Sequence, residues 1–155
     1  MLAIYLNDHL AAATAARDLA RRSAGSNRGS DYGPFLDRLA GEIEEDRESL
    51  LEIMKALDAG IDRVKVFAGW GTEKLGRLKL NGRLLGYSPL SRVEELEALA
   101  LGVQGKLALW RALETLAPRE SRLARFDLDA LIARAERQRD ELDAQRLLAV
   151  AETFG

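Results

Sequence analysis

The chain is 155 residues long with a formal net charge of −2, and its apolar fraction of 47% is drawn mainly from Ala and Leu. With no cysteine it has no disulfide, no thiol chemistry and no cysteine-ligated metal site. No apolar run approaches the roughly 18 residues of a bilayer span, and the N-terminal stretch carries Asp8 and Asp18 without the basic start of a targeting peptide, so a cytoplasmic protein is expected.

The length suits one domain, 1–155, with a real core. Ala and Leu lose little on entering a helix, and β-branched and aromatic residues are scarce, so the expected fold class is all-α. The first helix is expected over about 2–23, where Leu2, Leu6, Leu10, Ala13, Ala16 and Ala20 recur at three- and four-residue steps. A Gly- and Ser-rich stretch, Ser23 to Gly33, ends it as a loop. The second helix starts at Pro34 and runs to about Asp58 on Leu36, Leu39, Ile43, Leu50, Ile53 and Leu57, with Gly60 as its stop signal. Residues 61–90 read as a connection packed across the bundle. It holds a short helix on Val64, Phe67, Gly71, Leu75 and Leu78, then turns at Asn81-Gly82 and Gly86 to Pro89. Ser91 with Glu94 has the spacing of a capping box opening the third helix, whose stripe is Val93, Leu96, Leu99, Val103, Leu107, Trp110 and Leu113, ended by Ala117-Pro118. Asp127 caps the fourth, carried by Leu128, Leu131, Ala135, Leu142 and Ala149.

Charge is unevenly spread. Residues 61–92 hold seven basic and two acidic residues, net +5, against sixteen basic and twenty-three acidic elsewhere, net −7. The first expectation is attraction between the two regions within the fold. The alternative is an anion site for nucleic acid or acidic lipid at Lys74, Arg77, Lys79 and Arg83, among Phe67, Trp70 and Tyr87; nucleic acid is the less expected partner.

Each apolar stripe is interrupted by polar residues. Laid on heptads, the first of them through Leu2, Tyr5, Ala12 and Ala16, the four helices place His9, Asp46, Lys106 and Gln138 (with Gln145) where core residues belong. Charges on a core face must pair, reach water or hold a ligand. Asp46 is expected to pair with an arginine or with Lys106, and Gly102 and Gly105 beside Lys106 let a neighbouring helix come close. The run Glu42 to Glu48 is expected as a solvated face with internal ion pairs. Gly69 to Lys74 lacks the ending of a phosphate loop, and no Ser–His–acid set carries a supporting signature.

Two helices, a connection of about 30 residues and two more helices form a four-helix bundle with one long crossover. An irregular five-helix bundle is the rival arrangement. This order, with its inward polar layer, resembles the ferritin-like superfamily, which includes di-iron carboxylate proteins that use Glu-x-x-His. The chain has a single histidine and no Glu-x-x-His, so no ligand carries over from the resemblance. A reduced site from His9, Glu45 and Asp46 with a carboxylate of the later helices, holding iron or manganese, is the metal alternative. With no catalytic constellation in view, the expected role is that of a non-catalytic bundle without a cofactor, acting as a homo-oligomer or by docking a protein partner.

Overall fold

The computed structural model describes residues 1–62 and 87–155. Four helices dominate: α1 (Leu2–Ser26), α2 (Gly33–Ala56), α3 (Pro89–Leu116) and α4 (Leu128–Phe154), with no strand among the described residues. Two 3-10 turns, Ala117–Arg119 and Ser121–Leu123, carry the chain from α3 to α4. The protein is an all-α helical bundle. The short helix expected within 61–90 falls on residues 63–86, outside those described.

The helix ends follow local chemistry, not always at the expected residue. α1 runs past Ser23 because Asn27 closes its last turn, its side-chain Nδ2 donating to the Ser23 carbonyl at 2.9 Å. α2 stops at Ala56, before Gly60. Asp58 takes the left-handed conformation (φ 53°), and the Ala59 amide donates back to the Met54 carbonyl at 2.9 Å. That is the Schellman arrangement, with an aspartate where glycine is usual. α3 opens one turn earlier than the capping box at Ser91 implied. Ser88 is its cap, accepting from the Ser91 amide at 3.1 Å, and Pro89 fills the first helical position. α4 begins as expected, with the Asp127 carboxylate accepting from the Ala130 amide at 2.9 Å.

Side-chain contacts fix the helix directions. Arg22 of α1 meets Glu95 of α3, and Ala16 lies 3.6 Å from where a Cβ on Gly102 would sit, so α1 and α3 are antiparallel neighbours. Gly102 permits that approach; Gly105 faces open space. Arg38–Glu141, Glu42–Arg137 and Glu45–Arg134 step in opposite senses along α2 and α4, which are also antiparallel. Since α1–α2 and α3–α4 are antiparallel hairpins, α2 and α3 run parallel on a diagonal of the bundle. Leaving α2, the chain stays beside the start of α1, where Asn7 Nδ2 donates to the Gly60 carbonyl at 2.8 Å and Asn7 Oδ1 accepts from the Asp62 amide at 2.7 Å. It re-enters at the far end of α1, where Asn27 Nδ2 donates to the Tyr87 hydroxyl at 2.6 Å.

The apolar interior is divided. One cluster gathers Leu19, Leu36, Leu39, Ile43, Leu96, Leu99, Val103 and Leu142. The other gathers Leu6, Leu10, Leu50, Ile53, Met54, Leu107, Trp110 and Ala135. Between Ile43 and Leu50 on α2, and between Ala135 and Leu142 on α4, the core faces are polar: Asp46 and Gln138.

Candidate functional site

Asp46, Lys106 and Gln138 converge on that level. Asp46 is 2% exposed and Gln138 fully buried, while Lys106, largely buried, keeps its stem along the core face of α3. Lys106 Nζ donates to Asp46 Oδ2 and, at 2.5 Å, to Gln138 Oε1. Gln138 turns its Nε2 to Glu42 Oε2 at 2.8 Å and to Asp46 Oδ2 at 3.3 Å. The neighbours fix the amide's orientation: an ammonium only donates and a carboxylate only accepts.

Arg134, one turn before Gln138, closes the layer from α4. Its Nη2 stands 2.5 Å from Asp46 Oδ1, and its Nη1 2.7 Å from Glu45 on the surface. The approach to Oδ1 is a charge contact off the hydrogen-bonding line, and the buried Nε of Arg134 makes no hydrogen bond among the described residues. Arg137 holds the other oxygen of Glu42 at 2.9 Å. Counting formal charges, Asp46 and Glu42 balance Lys106 and Arg134, and the flanking Glu45 and Arg137 balance each other. A compensated set is the one form in which charges are tolerated inside a core.

The protonation energetics agree. Burial drives the Lys106 pKa below its ordinary value, against the opposing pull of Asp46. At Glu42 burial favours the neutral acid, yet the Gln138 hydrogen bond and the Arg137 charge outweigh it, and the pKa lies below the ordinary carboxylate value.

His9 does not join this layer. It sits half-buried on α1, its ring centroid 4.5 Å from that of Tyr5, and burial lowers its pKa against the smaller effect of Asp8. The heptad that placed His9 indoors ran through Leu2, Tyr5 and Ala12, none of them fully buried; the true core face of α1 is Leu6, Leu10, Ala20 and Ala24. Level with Asp46, α1 presents Thr14 and Arg17, which contact Arg47 and Glu44, whereas His9 lies further toward the N-terminus. The trio His9, Glu45 and Asp46 is therefore not brought together. Glu45 and Asp46 already face the Arg134 guanidinium, and Asp46 faces Lys106 as well, a cationic surrounding that does not suit a metal ion. Among the described residues no three His, Asp or Glu side chains gather as a metal site needs. Gln145 is half-buried away from the layer, and Lys74, Arg77, Lys79 and Arg83 lie outside the described residues.

Glu42 and Arg134 are the members that sequence periodicity missed. Each is one helical turn from a residue it did find, Asp46 and Gln138, so extending the polar positions by four residues would have located both. The acidic run keeps Glu45 and Glu48 exposed, as expected, but its ion pairs run mostly between helices and not within its own. Glu42, Glu44 and Glu45 reach across to Arg137, Arg21 and Arg134 on neighbouring helices, with Glu44–Arg47 the within-helix pair.

A second polar cluster, also missed, closes the opposite end of α1. Buried Asn27 bridges the Tyr87 hydroxyl and Arg92 Nε (2.8 Å), Tyr87 donates to buried Glu95 at 3.1 Å, and the Arg92 guanidinium stacks 4.4 Å over the Tyr32 ring. It ties the starts of α2 and α3 to the end of α1. No helix among the described residues is long and apolar enough to cross a membrane. Compared with known proteins, the chain matches no family model, no curated protein and no solved structure.

Proposed function

We propose that this chain is a cytoplasmic, non-catalytic helical bundle of ferritin-like topology that works by associating with itself or with a protein partner. One observation carries the reading. Large apolar side chains stand uncovered on the α3–α4 half: Leu101 is 74% exposed, Phe154 68%, Leu148 56% and Leu147 53%. Apolar residues on a solvated helix face are unremarkable singly, but Leu147, Leu148 and Phe154 share one face of the last turns of α4 and offer a surface that association would remove from water.

The interior supports the same reading from the other side. Its ionisable groups meet one another instead of converging on a space, so the polar layer is occupied as a structural network. The parallel diagonal of α2 and α3, with Asp62 and Tyr87 at opposite ends of α1, supports the ferritin-like assignment. Light scattering on the purified chain tests the role. Mass rising above 17.1 kDa with concentration is the expected result, and a monomer at every concentration speaks against self-association.

A further inference from the structure

The four helices are not evenly spaced. α1 and α3 pack closely where Ala16 meets Gly102, and α3 and α4 more closely still, Ala135 and Ala149 being the small residues that α4 turns inward. α2 and α4 approach least closely of the neighbouring pairs, and long side chains span the gap. A cleft of about 470 Å³ opens between them beside the polar layer, with Ser49 and Glu52 on one wall and Ala130, Leu131 and Arg134 on the other.

The charges along this seam are sorted by helix. α2 supplies the carboxylates of Glu42, Glu45 and Asp46; α4 supplies Arg134 and Arg137, and α3 the Lys106 ammonium. Arg38–Glu141, one turn above, runs the other way. The charges that α1 brings to this level, Arg17 and Arg21, are drawn to Glu44. Protonating the carboxylates of such a seam has a one-sided result. Asp46 and Glu42 become neutral, while Lys106 and Arg134 keep charges that nothing left in the core balances. Water is then the remaining means of solvating them.

We propose that the bundle carries an acid-operated opening along this seam: with Glu42 and Asp46 neutralised, the α1–α2 and α3–α4 hairpins swing apart about the Ala16–Gly102 contact. Each hairpin keeps its helices and its own packing, and water entering by way of the cleft reaches Lys106 and Arg134. The parting falls here because the other three sides of the bundle are closed by tighter helix contacts. Glu42 agrees in direction. Its folded pKa lies below the ordinary carboxylate value, so its contribution to closure is complete above that value and lost as pH falls through the folded one.

Spin-label distances test the opening, and the absence of cysteine leaves the label sites free to choose. One pair, Glu48→Cys with Ala130→Cys, spans the seam. The other, Asp18→Cys with Gln104→Cys, spans the pivot, and all four side chains are exposed. Labelled chain is diluted in unlabelled chain, so that only distances within one molecule are read. Between about pH 7 and about pH 3 the seam pair lengthens by about 3 Å or more, one hydrogen-bond length for an inserted water. Over the same range the pivot pair holds and helical circular dichroism persists. Asp46→Asn lengthens the seam pair already at neutral pH, and Lys106→Met added to it draws the pair back. Seam and pivot distances that broaden together as helicity falls would show ordinary acid unfolding and overturn the opening. A native seam distance constant down to the acid limit overturns it too, as does a folded Asp46→Asn chain with the native distance. If Asp46→Asn does not fold, the titration of the otherwise native labelled chain decides.

Discussion

Lys106 of α3 reaches Asp46 of α2 across the diagonal of the bundle, between two helices that share no hairpin. The contact lies where the two apolar clusters part, so a polar floor separates an upper core around Leu36, Leu96 and Leu99 from a lower one around Leu50, Ile53 and Trp110. Such a floor adds little net stability over a well-packed apolar layer. Its effect is on register: sliding α3 by one turn along α2 would bury Lys106 among leucines and leave Asp46 with only Arg134 and Gln138 of α4.

Gln138 is the hinge of this network, because it accepts from Lys106 and donates to Glu42 at once. Gln138→Leu removes both bonds and leaves the ammonium under-solvated. The expected loss is about 1–3 kcal/mol in urea unfolding. Gln138→Glu keeps an acceptor for Lys106 but turns the Glu42 contact repulsive, and it is expected to destabilise most near neutral pH and less as the medium is acidified.

Asn7 and Asn27, at opposite ends of α1, hold the two ends of the connection between α2 and α3. Asn27→Ala removes the donor to the Tyr87 hydroxyl and the acceptor of Arg92 Nε together, while Tyr87 keeps its bond to Glu95. A loss of about 1–3 kcal/mol is expected, accompanied by faster amide exchange at the start of α3. Exchange confined to the start of α1 would contradict the placement.

His9 is the only histidine, so its imidazole can be followed alone by NMR. Burial lowers its folded pKa below the ordinary imidazole value of 6.5, so the stabilising contribution is present above that value and lost as pH falls through the folded pKa. Thermal midpoints of the native chain should therefore drop on acidification below pH 6.5, and His9→Gln should flatten that part of the profile. A titration midpoint above 6.5 would show that the imidazole gains a partner for its charged form.

Asp58 takes a left-handed conformation that L-residues adopt at a cost. Its carboxylate is exposed and its ion pair with Arg122, at 3.2 Å, is a surface one. Asp58→Gly is expected to leave stability unchanged or raise it by up to about 1 kcal/mol, measured by denaturant unfolding.

The helices were legible because Leu and Ala at period 3.6 leave few other solutions, and three of the five polar interruptions, Asp46, Lys106 and Gln138 but not His9 or Gln145, did land in the core. Asp46 and Lys106 stood out as single gaps in otherwise regular apolar series, and Gln138 as one of two gaps, with Gln145, in that of the fourth helix. His9 misled because α1 is alanine-rich. Where Ala surrounds the helix, several heptad frames fit, and the frame through Tyr5 looked as good as the one through Leu6 and Leu10 that packing selects. Glu42 and Arg134 were hidden for another reason. Long side chains bring charge indoors from a half-exposed backbone position, and periodicity sees only the backbone. Asn27, Arg92 and Glu95 meet through contacts 60 or more residues apart in sequence, which no local pattern records.

A double-mutant cycle on Asp46 and Lys106, by equilibrium unfolding, reaches the centre of this account. Asp46→Leu alone leaves Lys106 and Arg134 without their shared buried carboxylate and is expected to cost about 3–5 kcal/mol. Lys106→Met costs less, since Arg134 still faces Asp46. The double variant should recover about 2 kcal/mol or more relative to the sum of the two. Additive losses, or a gain in stability from Asp46→Leu by itself, would show that the two charges do not answer each other inside the bundle.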